Sequence, residues 1–197
     1  MPDWMADPMT WSVPAGRYFG IRVRVHFLFV LFVLSQLLSA YKGGRKDFYF
    51  ALGTLTILFF SVLFHEFGHC FAARAIGGEA EEVLMWPLGG LAFVSVPNTP
   101  RAHFISTIWG PLVNVIICLV TGSVIVFQGY WPPLNPFDLF GCELFVVGLN
   151  HWLAWVAITF WLNWINVLFN AIPAFPMDGG RIFRCLLWNR MGFGRAT

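Results

Sequence analysis

The sequence predicts an all-α membrane protein of about four transmembrane helices, with a short β-hairpin, re-entrant or interfacial, between the second and third. Three observations lead there. Charged residues are 11% of the chain and apolar residues 58%, whereas a soluble domain carries about 25% charged residues. The mean hydropathy is +0.69. Four apolar runs each reach the length of about 20 residues that a spanning helix needs. An open strand would leave its backbone groups unpaired in lipid, so these runs read as helices.

Residues 1–20 hold Pro2, Pro8 and Pro14 with Trp4 and Trp11, and read as an interfacial arm; residues 21–197 form the transmembrane core. The first run, Ile21 to Tyr41, is too long for the apolar region of a signal peptide. Gly43-Gly44-Arg45-Lys46-Asp47 makes a polar loop before the second run, Phe48 to Ile76. Residues 77–100 open with Gly77, Gly78, Glu79, Glu81 and Glu82. VLMWPLGGLAFVSV follows at 83–96, too short to span as a helix. Its two apolar stretches flank Leu88-Gly89-Gly90 and predict the hairpin. At membrane depth such a hairpin needs cover from protein or a cavity.

The third run, Ala102 to Gln128, contains Pro111, which predicts a kink. A Pro-rich loop, Trp131 to Pro136, leads to the fourth run, Leu144 to Asn170. Residues 181–191 read as the start of a further helix.

Charge and cysteine content exclude other classes. The net charge is +2 and its basic residues form no stripe, so nucleic acid is not an expected partner. Cys70, Cys118, Cys142 and Cys185 form no CxxC pair, and no disulfide framework is expected. With the N-terminus inside, Arg17, Arg22, Arg24, Arg74, Arg101, Arg181, Arg184, Arg190 and Arg195 fall inside, against Lys42, Arg45 and Lys46 outside. The excess of inner cations predicts a multi-pass protein with both termini and the active site toward the cytoplasm.

The chemistry stands in the second run, at His65-Glu66-Phe67-Gly68-His69, an H-E-x-x-H. On a helix, positions i and i+4 share one face, so both imidazoles can reach one zinc ion. Glu66, one residue along, is placed to take a proton from a water at that metal. A histidine in an apolar helix is usually a packed residue. Three ionisable groups within one turn of a membrane helix, however, require a partner or a cavity, and a metal supplies the partner. From Phe48 the helix rises ~26 Å to His65, which puts the motif toward the inner end of the span.

Catalytic zinc takes three protein ligands, so a third is expected on the same side. Asp178 follows the fourth run in Asn170-Ala-Ile-Pro173-Ala-Phe-Pro176-Met177-Asp178-Gly179-Gly180. It can cap the helix that starts there or ligate the metal, and the missing ligand favours the metal. Asn163, Asn166 and Asn170 recur on one helix face and can line a cavity or bond between helices. Asn114, which follows Pro111, can orient the site or tie helices together. His26, His103 and His151 read as interfacial or packing residues.

These residues resemble the site-2 protease family of intramembrane zinc metalloproteases. The resemblance rests on HEFGH at 65–69, on N-x-x-P-x-x-x-x-D-G from Asn170 to Gly179, on WPLGG at 86–90 and on Gly110-Pro111-Leu112-Val113-Asn114. It covers about residues 20 to 188. It implies one Zn2+ per chain held by His65, His69 and Asp178, with Glu66 as catalytic base. It also implies a transmembrane protein as substrate, within the lipid bilayer; Asn170, which belongs to the motif, and Asn114 are the candidates for substrate or oxyanion contacts. Met177 stands where leucine is common in the family, and many relatives carry further helices beyond the aspartate. Two other readings of the cluster are a catalytically silent membrane metal-binding protein and an ion transporter. No feature of the sequence points to a regulatory partner.

Overall fold

The computed structural model describes residues 11–87, 89–138 and 151–191. The chain divides into two compact units, Met1–Pro97 and Asn98–Thr197.

The first unit opens with strands β1 (Ser12–Tyr18) and β2 (Ile21–His26). They form a hairpin closed by the two-residue turn Phe19-Gly20, where φ is 54° and 78°, the backbone of a type I′ turn. Helices α1 (Phe27–Gly43) and α2 (Arg45–Ala75) follow, then strands β3 (Glu79–Trp86) and β4 (Gly89–Ser95). The four strands make one sheet in the order β1-β2-β3-β4. β2 and β3 run parallel, with Val23 opposite Val83, and the two outer pairings are antiparallel.

The sheet has two unlike faces because β2 alternates. Ile21, Val23 and Val25 turn inward, and Ile21 and Val23 join Val83, Met85 and Ala80 against Leu63, Phe67 and Cys70 of α2. Burying a side chain of this size is worth about 1.5–3 kcal/mol. Between them, Arg22 and Arg24 face Glu81 and Glu82 in ion pairs of 3.4–3.8 Å. Being partly exposed, these pairs add a few tenths of a kcal/mol at most and chiefly favour one register. The buried residues of α2 all lie between Ser61 and Ala73, so the sheet covers the C-terminal half of that helix alone. Arg74 ties this end down, donating to the carbonyls of Phe19 (2.6 Å) and Ala80 (2.5 Å).

The second unit holds α3 (Pro100–Phe127), α4 (His151–Asn170) and α5 (Asp178–Met191). Thr99 caps α3 through its hydroxyl, which accepts from the Ala102 amide. Ser106, Gly110, Asn114, Cys118 and Gly122 recur at every fourth position of α3, and all are buried. Small residues at that spacing let two helix backbones approach where lipid offers no hydrophobic drive to associate. α4 uses the stripe: Asn114 Nδ2 donates to Asn163 Oδ1 (3.1 Å), and Cys118 Sγ reaches the Phe160 carbonyl (3.7 Å). The indoles of Trp161 and Trp164 donate to the carbonyls of Asn135 and Leu134, both at 3.0 Å, and anchor the Pro-rich loop to α4.

The structure corrects the all-α expectation: the protein is mostly helical but carries a four-stranded sheet. Three helices of the described residues are long and apolar enough to cross a membrane: Arg45–Ala75, Pro100–Phe127 and Trp152–Asn170. The first apolar run does not reach that length, because Ile21–His26 is strand and α1 has 17 residues. The strict alternation Ile-Arg-Val-Arg-Val-His is a period-2 signal, hidden by the continuous apolar run behind it. The polar loop at 43–47 contracts to Gly44, with φ 114°. Asp47 instead occupies the first turn of α2 and Lys42 the last turn of α1, each on the side the helix dipole favours. Met1 to Thr10, Leu88 and residues 139–150 lie outside the described residues, and with them much of the arm, one hairpin residue, Cys142 and the start of the fourth run.

Candidate metal centre

His65, Glu66 and His69 all lie on α2, in the half that the sheet covers. Their exposures are 4%, 5% and 6%, far below what three ionisable side chains show on a solvated helix face. The helix pitch stacks the two imidazoles one turn apart. Their rings stand nearly perpendicular, and their Nε2 atoms approach to 3.1 Å. Two nitrogens held at ~2.0–2.1 Å from one tetrahedral ion would lie ~3.3 Å apart. The spacing therefore fits a shared metal, and the donor set of two imidazoles suits zinc.

Glu66 lies against β4. A Cβ built on Gly90 would collide with Glu66 Cγ and stand 2.6 Å from both Cδ and Oε1. Gly90 belongs to the quoted WPLGG segment, but a single sequence carries no signal for this contact; it follows from the sheet lying on α2.

Asp178, Asn170 and Asn114 belong to the second unit. Asp178 opens α5 and is 4% exposed. A carboxylate in the first turn is favoured by the helix dipole. The chain reaches it through a tight loop after α4, with the Met177 amide donating to the Ala174 carbonyl (2.9 Å). Gly179 is needed there: a Cβ would lie 2.5 Å from the Ile172 carbonyl oxygen and 2.7 Å from that of Ala171. Asn170 donates to the carbonyl and to the side chain of Asn166, at 3.1 and 2.7 Å. Asn114 and Asn163 are fully buried and pair with each other. His26, read as an interfacial or packing residue, caps α1, with Nδ1 accepting from the Leu28 amide (3.1 Å).

A helix of membrane-spanning length that buries an H-E-x-x-H motif under a small sheet defines an integral membrane protein with a candidate metal centre inside it. Residues 53–145 match peptidase family M50. The chain carries a peptidase family M50 domain, the domain of the site-2 proteases.

Relatives agree with that assignment. A zinc metalloprotease of Methanocaldococcus jannaschii is 32% identical over 193 residues, covering 96% of this chain and 49% of the relative. Rip3 of Mycobacterium tuberculosis is 31% identical over 192 residues, covering 92% of this chain and 45% of the relative. The chain thus spans about half the length of the curated relatives it matches. Among solved structures, the site-2 protease from Methanocaldococcus jannaschii superposes with a TM-score of 0.63 at 29% identity, over 94% of this chain and 76% of that one.

Proposed function

We propose that the protein is an intramembrane zinc metalloprotease that hydrolyses a peptide bond in or near the transmembrane segment of a membrane-protein substrate. The observation that carries this is the buried pair of imidazoles, Nε2 to Nε2 3.1 Å, with Glu66 beside them on a membrane-length helix. The relatives named zinc metalloproteases support the choice of metal.

His65 and His69 supply two ligands to one zinc ion. Asp178 supplies the third; its burial, its place in the N-x-x-P-x-x-x-x-D-G segment and the need for a third donor support that role. Zinc bound there supplies Lewis-acid polarisation of the scissile carbonyl and a lowered pKa for water. Glu66 is the general base: its carboxylate takes the proton from the attacking water and passes it to the leaving amine nitrogen.

A helical substrate must unwind before its peptide bond is reachable. β4 pairs with β3 on one side and with no strand of the described residues on the other. That edge suits an unwound substrate stretch added as a further strand. In this reading Asn170 contacts the substrate backbone, and Asn114 serves the site through its tie to Asn163. The termini and the site face the cytoplasm, on the argument of inner arginines.

Metal analysis of the purified chain tests the ligand set. We expect about one zinc per chain, retained in Glu66→Gln and lost in His65→Ala, His69→Ala and Asp178→Ala. Full zinc in Asp178→Ala would overturn the third ligand. A chain that carries ions across sealed vesicles and cleaves nothing would be a transporter.

A further inference from the structure

The bare backbone of β4 at Gly90 packs directly on the Glu66 side chain. The contact involves Cγ as well as the carboxylate, since an added Cβ would collide with Cγ and stand 2.6 Å from Cδ and Oε1. Real Cβ atoms essentially never approach a neighbour within 3.0 Å. A methyl group at Gly90 would thus force Glu66 into another rotamer or push β4 away from α2. Backbone geometry does not explain the glycine. Gly89 has φ 146°, but Gly90 is not among the glycines of positive φ, so alanine could adopt its backbone. The pairing of Gly90 with Met85 fixes the height of β4 over the helix, and Met85 is locked in the core between sheet and α2.

We propose that Gly90 is a positioning residue for Glu66: the side-chain-free strand forms the wall that holds the carboxylate in its working rotamer. The catalytic part of this inference rests on the proteolytic reading above. A general base must meet its proton within hydrogen-bond reach, and a displacement of about 1 Å at such a group costs about 100-fold in rate. The inference also gives the hairpin a role separate from substrate docking: one residue of β4 serves the catalytic glutamate, while the free edge of the same strand is left for another chain.

The test uses four full-length proteins: wild type, Gly90→Ala, Glu66→Ala and the double variant. With Glu66 present, Gly90→Ala should lower the melting temperature by about 5 °C. In the Glu66→Ala background, where the colliding atoms are gone, the same change should cost less than about 1 °C. Zinc content of Gly90→Ala should equal that of wild type, while kcat falls by about 100-fold with KM unchanged. Equal melting losses in both backgrounds would overturn the inference, and so would an unchanged kcat, a raised KM with kcat intact, or lost zinc. If wild type cleaves no substrate, the proteolytic reading fails on its own; the four melting temperatures still decide whether Gly90 holds Glu66.

Discussion

The Asn114–Asn163 pair lets the packing account of the second unit be tested with numbers. Both amides are 0% exposed, and the bond between them is 3.1 Å. In a membrane protein an interhelical hydrogen bond is worth about 0.6 kcal/mol on average and up to about 1.7. Full burial puts this one in the upper half of that range, at about 1–1.5 kcal/mol. Truncating either residue to alanine also leaves a small void and a buried amide short of one contact, so each single variant should lose about 2 kcal/mol. The double variant should lose less than the sum by the coupling energy. The assay is a double-mutant cycle on reversible unfolding in mixed micelles, with all four proteins at one concentration. Losses additive within about 0.3 kcal/mol would refute the tie. Asn114 would then be better explained as a contact to substrate.

At the start of α5, Gly179→Ala should cost about 2–3 kcal/mol, because its Cβ would meet carbonyl oxygens of Ala171 and Ile172 that cannot rotate away. Zinc content should fall with it as Asp178 is displaced; a variant that melts and binds zinc like wild type would contradict both points. Burial pushes the Cys185 thiol up, with Arg184 opposing part of the shift. Fewer thiolates then exist at any given pH, so the midpoint of the pH–rate profile for alkylation at Cys185 should lie at a higher pH than that of a free thiol. A midpoint at or below the free-thiol value would mean the site is not desolvated.

The helices were legible because lipid forces a simple pattern. α2 and α3 fall within a few residues of the apolar runs, since few other segments of such length and hydropathy exist. The H-E-x-x-H was legible because its chemistry is local: five consecutive residues fix both imidazoles and the base. The sheet was legible only in part. β3 and β4 announced themselves around a Gly pair, but β2 hides its alternation at the head of an apolar run, and β1 contains Pro14 and Gly16. Parallel pairing of Val23 with Val83 joins residues far apart in the chain, and no local pattern encodes such a partner. Gly90 escaped for the same reason. Its importance lies in what touches it, and Glu66 arrives from a different element.

The central claim is that Glu66 acts as the base of a zinc-dependent peptide hydrolysis. The most direct measurement is cleavage of a panel of single-span membrane proteins by the purified chain, with Glu66→Gln as the paired control. Wild type should release fragments cut in or near the transmembrane segment, and Glu66→Gln should release none while keeping its zinc. Identical fragments from both proteins would contradict the account.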